Sequence, residues 1–132
     1  MRLLLDTHIF LWAVAGSPLL KPAARHLIED ADEVYVSAAS IWEVAIKARL
    51  GKIEADVQAL AAAVGDSGFL ELPVSAAHAA GVARLDLHHN DPFDRLLVAQ
   101  ALAEPLKFLT ADEVLARYSD LVLLVQDLGR SR

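Results

Sequence analysis

Cysteine is absent from this 132-residue chain, which excludes a disulfide framework, a thiolate metal site and a cysteine nucleophile. The absence suits a reducing compartment. Long apolar runs are missing as well. Nothing approaches the roughly 20 residues needed to span a bilayer, and Met1-Arg2, three leucines and an aspartate are too short for the core of a signal peptide. The chain therefore reads as soluble and cytoplasmic, with no membrane partner. Positive charge is scarce: 12 Lys and Arg stand against 18 Asp and Glu, for a formal net charge of −6. A protein that grips nucleic acid by bulk electrostatics needs a dominant basic face, so that mode is excluded. Any nucleic-acid substrate would have to meet local cations or bound metal. Apolar residues, by contrast, make up 55% of the chain, enough for one ordinary domain, residues 1–132, with a sizeable core.

Leu3-Leu4-Leu5 reads as a short strand buried on both faces, ending at Asp6-Thr7. A helix beginning near Ile9 carries Ile9, Phe10, Leu11, Trp12 and Val14 and stops at Gly16-Ser17-Pro18. Pro22 starts a second helix, with Ala23, Ala24, Leu27, Ile28 and Ala31 at helical spacing, and Glu33–Ser37 returns to strand. Ala38–Leu50 is helical and closes at Gly51, where a left-handed cap is expected. Glu54–Val64 forms another helix and Phe69–Leu72 a third strand. Ser75 caps a helix over Ala76–Arg84, and Leu85–Asn90 is a loop. Asp91-Pro92 is a strong helix start for a buried helix carrying Leu96, Leu97, Val98, Ala99, Ala101 and Leu102. Lys107–Leu109 is a fourth strand, Thr110–Glu113 a capping box, and Leu121–Val125 a fifth strand. The tail from Gly129 to Arg132 reads as mobile. Strands alternating with helices throughout define the α/β class with a parallel, or mostly parallel, sheet and helices on both faces.

Four acids share one topological address. Asp6 follows the first strand, Glu43 lies one turn into the helix after the second, Asp94 opens the buried helix, and Asp112 follows the fourth strand. Ligands in open α/β sheets gather at the carboxyl ends of strands. Each acid also has an ordinary explanation: Asp6 as a cap, Glu43 paired with Lys47, Asp94 and Asp112 as first-turn acids. Clustered, however, four carboxylates repel unless they are protonated or bridged by cations. An all-oxygen donor set favours magnesium or manganese over zinc, and such ions serve phosphodiester cleavage. His8 reads as helix-start packing or solvent-exposed, His88 and His89 as exposed loop residues able to touch phosphate, and His26 and His78 as helix-surface residues. Trp12 and Trp42 fall at core spacing. Arg95 can bind phosphate or neutralise the acids.

The segments Asp6-Thr7-His8 with Leu11-Trp12, Ser37–Lys47 with Gly51-Lys52, Asp91–Ala101, and Leu109–Asp112 together resemble the PIN-domain family, and more narrowly the VapC-type toxin ribonucleases. The resemblance covers essentially the whole chain in order. It implies a three-layer α/β/α sandwich, a Mg2+- or Mn2+-dependent endoribonuclease, and a small inhibitory antitoxin partner. It also implies that Asp6, Glu43, Asp94 and Asp112 are the metal-binding catalytic acids. In one arrangement Asp6 and Asp94 hold a first ion while Asp112 and Glu43 complete its shell or hold a second. Asp91 is additional to the four-acid pattern and either caps its helix or joins the site. The chemistry needs no 2′-hydroxyl, so RNA as the substrate is an inference from the family. A homodimer is expected from the resemblance and from more Leu, Val and Ala on the early helices than one sheet face requires. The alternative from another class is a metal-binding, receiver-like signalling module. It fits less well, since that family wants paired acids after the first strand, whereas Thr7 follows Asp6. A hydrolase working through an aspartyl phosphate would want an acid two residues after Asp6, where His8 stands.

Overall fold

The computed structural model describes residues 1–129; Arg130–Arg132, within the tail read as mobile, lie outside the described residues. Strand β1 (Arg2–Leu5) is central, and its three leucines are fully buried. Alternation along a strand sends Leu3 and Leu5 to one face and Leu4 to the other. Leu3 and Leu5 pack with Ile9 and Phe10 of α1 (Thr7–Ala15), Ala24 and Ile28 of α2 (Pro22–Asp30), and Val64 of α4 (Val57–Asp66). Leu4 packs instead with Ala39 of α3 (Ala38–Arg49) and with Leu97, Val98 and Ala101 of α6 (Pro92–Ala103). The sheet is thus covered on both sides, which is why its strands read as continuous apolar runs.

The other strands are β2 (Glu33–Ser37), β3 (Leu70–Leu72), β4 (Lys107–Thr110) and β5 (Val122–Leu124). All pairings are parallel, in the order β3-β2-β1-β4-β5. The chain steps outward from β1 through β2 to β3, then crosses back to β4 on the other side of β1. The carboxyl ends of β1 and β4 therefore flank the switch point at which open α/β sheets bind ligands. A receiver-type sheet runs β2-β1-β3-β4-β5, so the signalling-module alternative fails on topology.

Several local expectations need correction. Helix α1 begins at Thr7 rather than near Ile9, because the Asp6 carboxylate accepts from the Thr7 N–H and the Asp6 carbonyl from the Phe10 N–H. Helix α4 starts at Val57 rather than Glu54, capped by Asp56, whose carboxylate accepts from the Ala59 N–H at 3.1 Å. Strand β4 runs through Thr110, so Thr110 is not a cap; Asp112 caps a 3-10 turn over Glu113–Arg117 by accepting from the Val114 N–H at 3.0 Å. Gly51 adopts a left-handed φ of 73° after α3, as expected.

Two side chains sit opposite to their expected places. His78, on α5 (Ala76–Gly81), is buried rather than on the helix surface. Its Nδ1 accepts from the Ser75 N–H at 3.0 Å, closing a capping box, and its Nε2 lies 2.5 Å from Glu104. Trp42 is 59% exposed rather than core. The buried stripe of α3 is taken by Ala39, Ser40, Glu43 and Val44, which turns Trp42 outward to lie edge-on against Phe93, ring centroids 5.0 Å apart.

Candidate active site

Asp6 ends β1 and is buried. One of its oxygens accepts from the Thr7 N–H at 2.8 Å, the other from the Thr110 hydroxyl at 2.6 Å. The second bond ties the end of β1 to the end of β4 across the switch point. Burial pushes the Asp6 carboxyl above the ordinary range, against the opposing pull of those two hydrogen bonds. Thr110 Oγ1 also accepts from the Asp112 N–H at 3.1 Å, so one hydroxyl positions two acids.

Glu43 arrives from α3, which Ser37 caps by accepting from the Ala39 N–H. Its carboxylate is buried yet fully engaged: Thr7 Oγ1 donates to Oε1 at 2.8 Å and Lys47 Nζ to Oε2 at 2.6 Å. The bond to Glu43 raises the Lys47 pKa. Asp91 caps α6, accepting from the N–H groups of Phe93 and Asp94 at 2.8 and 3.1 Å. Asp94 is the least satisfied acid of the cluster. Among the described residues no hydrogen bond reaches its carboxylate, and burial, followed by the charges of Asp6 and Asp91, pushes its pKa up to about 7.

Asp6, Glu43, Asp94 and Asp112, drawn from four distant segments, line a single pocket of about 380 Å³ together with Asp91, Lys47, His8 and Trp12. All four acids named from the sequence are therefore brought together. Asp91 lines the pocket while serving as a cap. Trp12 packs against the first core and also forms part of the pocket wall, with the exposed His8 ring 6.3 Å away. A larger cavity of about 610 Å³ lies near the amino ends of β2 and β3. Of its acids Glu29, Asp32 and Glu33, Asp32 is paired to the Met1 amino group and Glu33 to Arg2, and the cavity lies away from the carboxyl ends of the strands; the smaller pocket, where five acids converge on one lysine, is the candidate site.

Sequence reasoning missed His89. It is half-buried rather than exposed, and its Nε2 lies 2.8 Å from Asp112 and 3.4 Å from Asp94. His88 is also half-buried, its ring against Tyr118. Arg95 turns away from the acids: its guanidinium donates to the carbonyls of Val82, Leu85 and Asp86 and to the Tyr118 hydroxyl, bracing the loop before α6. The only sequence signal for either residue was adjacency to the Asp91–Asp94 segment.

The donor set fits a hard divalent cation. Five carboxylates face one lysine, that lysine is already committed to Glu43, and the Asp94 carboxylate has no hydrogen bond among the described residues.

An acid-lined switch point in a parallel, doubly covered sheet places the molecule among α/β proteins whose site chemistry is carried by carboxylates. The chain belongs to the PIN domain family, whose sequence pattern it matches over residues 3–121. It is 36% identical over 115 residues to Ribonuclease VapC22 of Mycobacterium tuberculosis (strain ATCC 25618 / H37Rv), covering 83% of this chain and 85% of that protein. Solved structures share its fold. VapBC2 from Rickettsia felis, bound to a DNA fragment from its promoter, aligns at a TM-score of 0.69 with 18% identity, covering 94% of this chain and 97% of that one. A toxin-antitoxin complex from Klebsiella pneumoniae aligns at 0.67 with 19% identity, covering 92% and 96%.

Proposed function

We propose that this chain is a metal-dependent endoribonuclease and the toxin of a toxin-antitoxin pair, built as one nuclease domain over residues 1–132 and acting in the cytoplasm. The observation that carries the reading is the convergence of Asp6, Glu43, Asp94 and Asp112 on one pocket in a chain of this family. The name of the Mycobacterium tuberculosis relative, a ribonuclease, supports the activity. Asp6, Asp94 and Asp112 would hold Mg2+ or Mn2+, with Glu43 completing the shell. When bound, the cation supplies charge neutralisation at the scissile phosphate and activation of water for in-line attack.

The chain's own residues set the geometry. Thr7 and Lys47 fix Glu43, and Thr110 fixes Asp6 and the backbone of Asp112, so these acids are held before any ligand arrives. Asp94, held by none of these bonds, is the acid free to adjust. Lys47, on the pocket wall, is the nearest fixed positive charge for a phosphate. The test is incubation of purified protein with end-labelled RNA in Mg2+, in Mn2+ and in EDTA. Cleavage should require the metal and be lost in Asp6→Asn. Cleavage that persists in EDTA, or a variant that cuts at the wild-type rate, would overturn the assignment.

An antitoxin segment is the proposed partner, supported by the toxin-antitoxin complex that shares the fold. Trp42, which directly precedes Glu43 on α3, and Leu50, just beyond that helix, are 59% and 62% exposed, with Trp42 against Phe93 of α6. That apolar surface adjoins the acids. The free toxin is proposed to be a homodimer; light scattering that shows only monomer across micromolar concentrations would refute this.

A further inference from the structure

His89, Asp94 and Asp112 each place a potential ligand atom within 4.8 Å of the others, a spacing that invites reading the histidine as a third ligand. The hydrogen bonds argue otherwise. His89 Nδ1 accepts from the Asp91 backbone N–H at 3.0 Å, so this nitrogen must present its lone pair. A backbone amide cannot reverse its role. An imidazole that accepts at Nδ1 carries its hydrogen on Nε2. Nε2 is the atom that faces the acids, 2.8 Å from Asp112 and 3.4 Å from Asp94. Coordination through Nε2 would move the hydrogen to Nδ1 and set two N–H groups against each other at the Asp91 contact. The loop cannot easily swing to avoid this, because the His89 N–H donates to Tyr118 Oη at 3.0 Å and Arg95 braces the same oxygen at 3.1 Å.

We propose that His89 is a positioning residue and not a metal ligand: the Asp91 cap fixes its orientation, and its Nε2–H in turn aims the Asp112 carboxylate into the pocket. The inference rests on the metal-dependent reading above. Asp112 is then held at three points, by Thr110 on its backbone, by the Val114 N–H on one oxygen and by His89 on the other, each oxygen keeping a lone pair for a cation. Asp91 acquires a double duty, capping α6 with its carboxylate while its N–H sets the histidine. The metal shell keeps only oxygen donors.

Binding of Mn2+ to the purified chain, followed by calorimetry and by electron spin-echo modulation of the bound ion, tests this. The wild type should bind Mn2+ without modulation from a directly coordinated 14N. His89→Asn, whose side chain reaches only about as far as Nδ1, should bind Mn2+ about tenfold more weakly, and His89→Gln, whose amide can donate near the Nε2 position, should recover to within about threefold of wild type. A strong 14N coupling in the wild type that His89→Asn removes would make the residue a ligand and overturn the proposal, as would unchanged affinity in His89→Asn. No Mn2+ binding by the wild type would instead remove the metal-dependent reading, and this inference with it. The spectrum of the wild type decides between ligand and donor without depending on how either variant folds.

Discussion

Replacing Asp94 by asparagine should stabilise the metal-free protein while abolishing its response to metal. Asp94 is partly buried, lacks a hydrogen bond to its carboxylate among the described residues, and is pushed up to about 7 by burial and then by Asp6 and Asp91. At about 1.4 kcal/mol per pH unit, the displacement from 3.8 corresponds to roughly 4 kcal/mol against the ionised folded form. The pocket opens to water, and screening there reduces this to about 2 kcal/mol. Asparagine also forfeits the attraction of a first-turn acid for the amino end of α6, about 0.5 kcal/mol. The net expected gain at pH 7.5 is about 1.5 kcal/mol, or roughly 5 °C in Tm for a chain of this size. The folded state binds the Asp94 proton more tightly than the unfolded chain does. Its contribution is therefore fully present only below the unfolded value of 3.8 and is lost progressively as pH rises from there through about 7. Urea denaturation in EDTA from pH 4.5 to 8 should show wild type and variant approaching each other at the acid end, the variant's advantage growing up to about pH 7 and levelling off above it. With metal at about 100 times its Kd, the wild type should gain about 2.7 kcal/mol and the variant far less. Parallel pH profiles, or a variant less stable than wild type at pH 7.5, would refute the reasoning.

Thr110→Val keeps the shape of the side chain but removes the donor to Asp6 and the acceptor for the Asp112 N–H; we expect a loss of about 1–2 kcal/mol by urea denaturation together with weaker Mg2+ binding by calorimetry, and unchanged metal affinity would count against Thr110 as the organiser. Arg95→Ala releases the carbonyls of Val82, Leu85 and Asp86, and should lower stability by about 2 kcal/mol and open the segment 82–90 to limited proteolysis; an equally resistant loop would show that other contacts hold it. Trp42→Ala should change metal-free stability by less than about 1 kcal/mol because the ring is mostly exposed, whereas a loss of 3 kcal/mol or more would restore it to the core.

Much of this fold is local in origin and so legible along the chain. The Leu3–Leu5 run, the Gly16 and Gly51 stops and the Asp91-Pro92 start each encode their structure within a few residues, through burial, left-handed backbone and capping. The positions of Asp6 and Asp112 just beyond strand ends, and of Glu43 and Asp94 near helix starts, followed from those same signals, which is why all four acids could be named before their distances were known. What stayed hidden depends on which strands lie side by side. Asp6 and Thr110 are separated by 104 positions and bond only because β4 returns next to β1. No periodicity encodes that order. Trp42 faces water because Glu43, one residue on, is drawn inward by Thr7 and Lys47, and a helix cannot turn both residues the same way. His89 reaches the acids because Arg95 and Tyr118 fold its loop back, and those bonds go to backbone carbonyls and a phenol whose positions exist only once the sheet is assembled. Local free energy chose the elements and where each acid would stand; the closure of the sheet decided which hydroxyl, amide and imidazole would hold them, because a hydrogen bond reads distance in space and not along the chain.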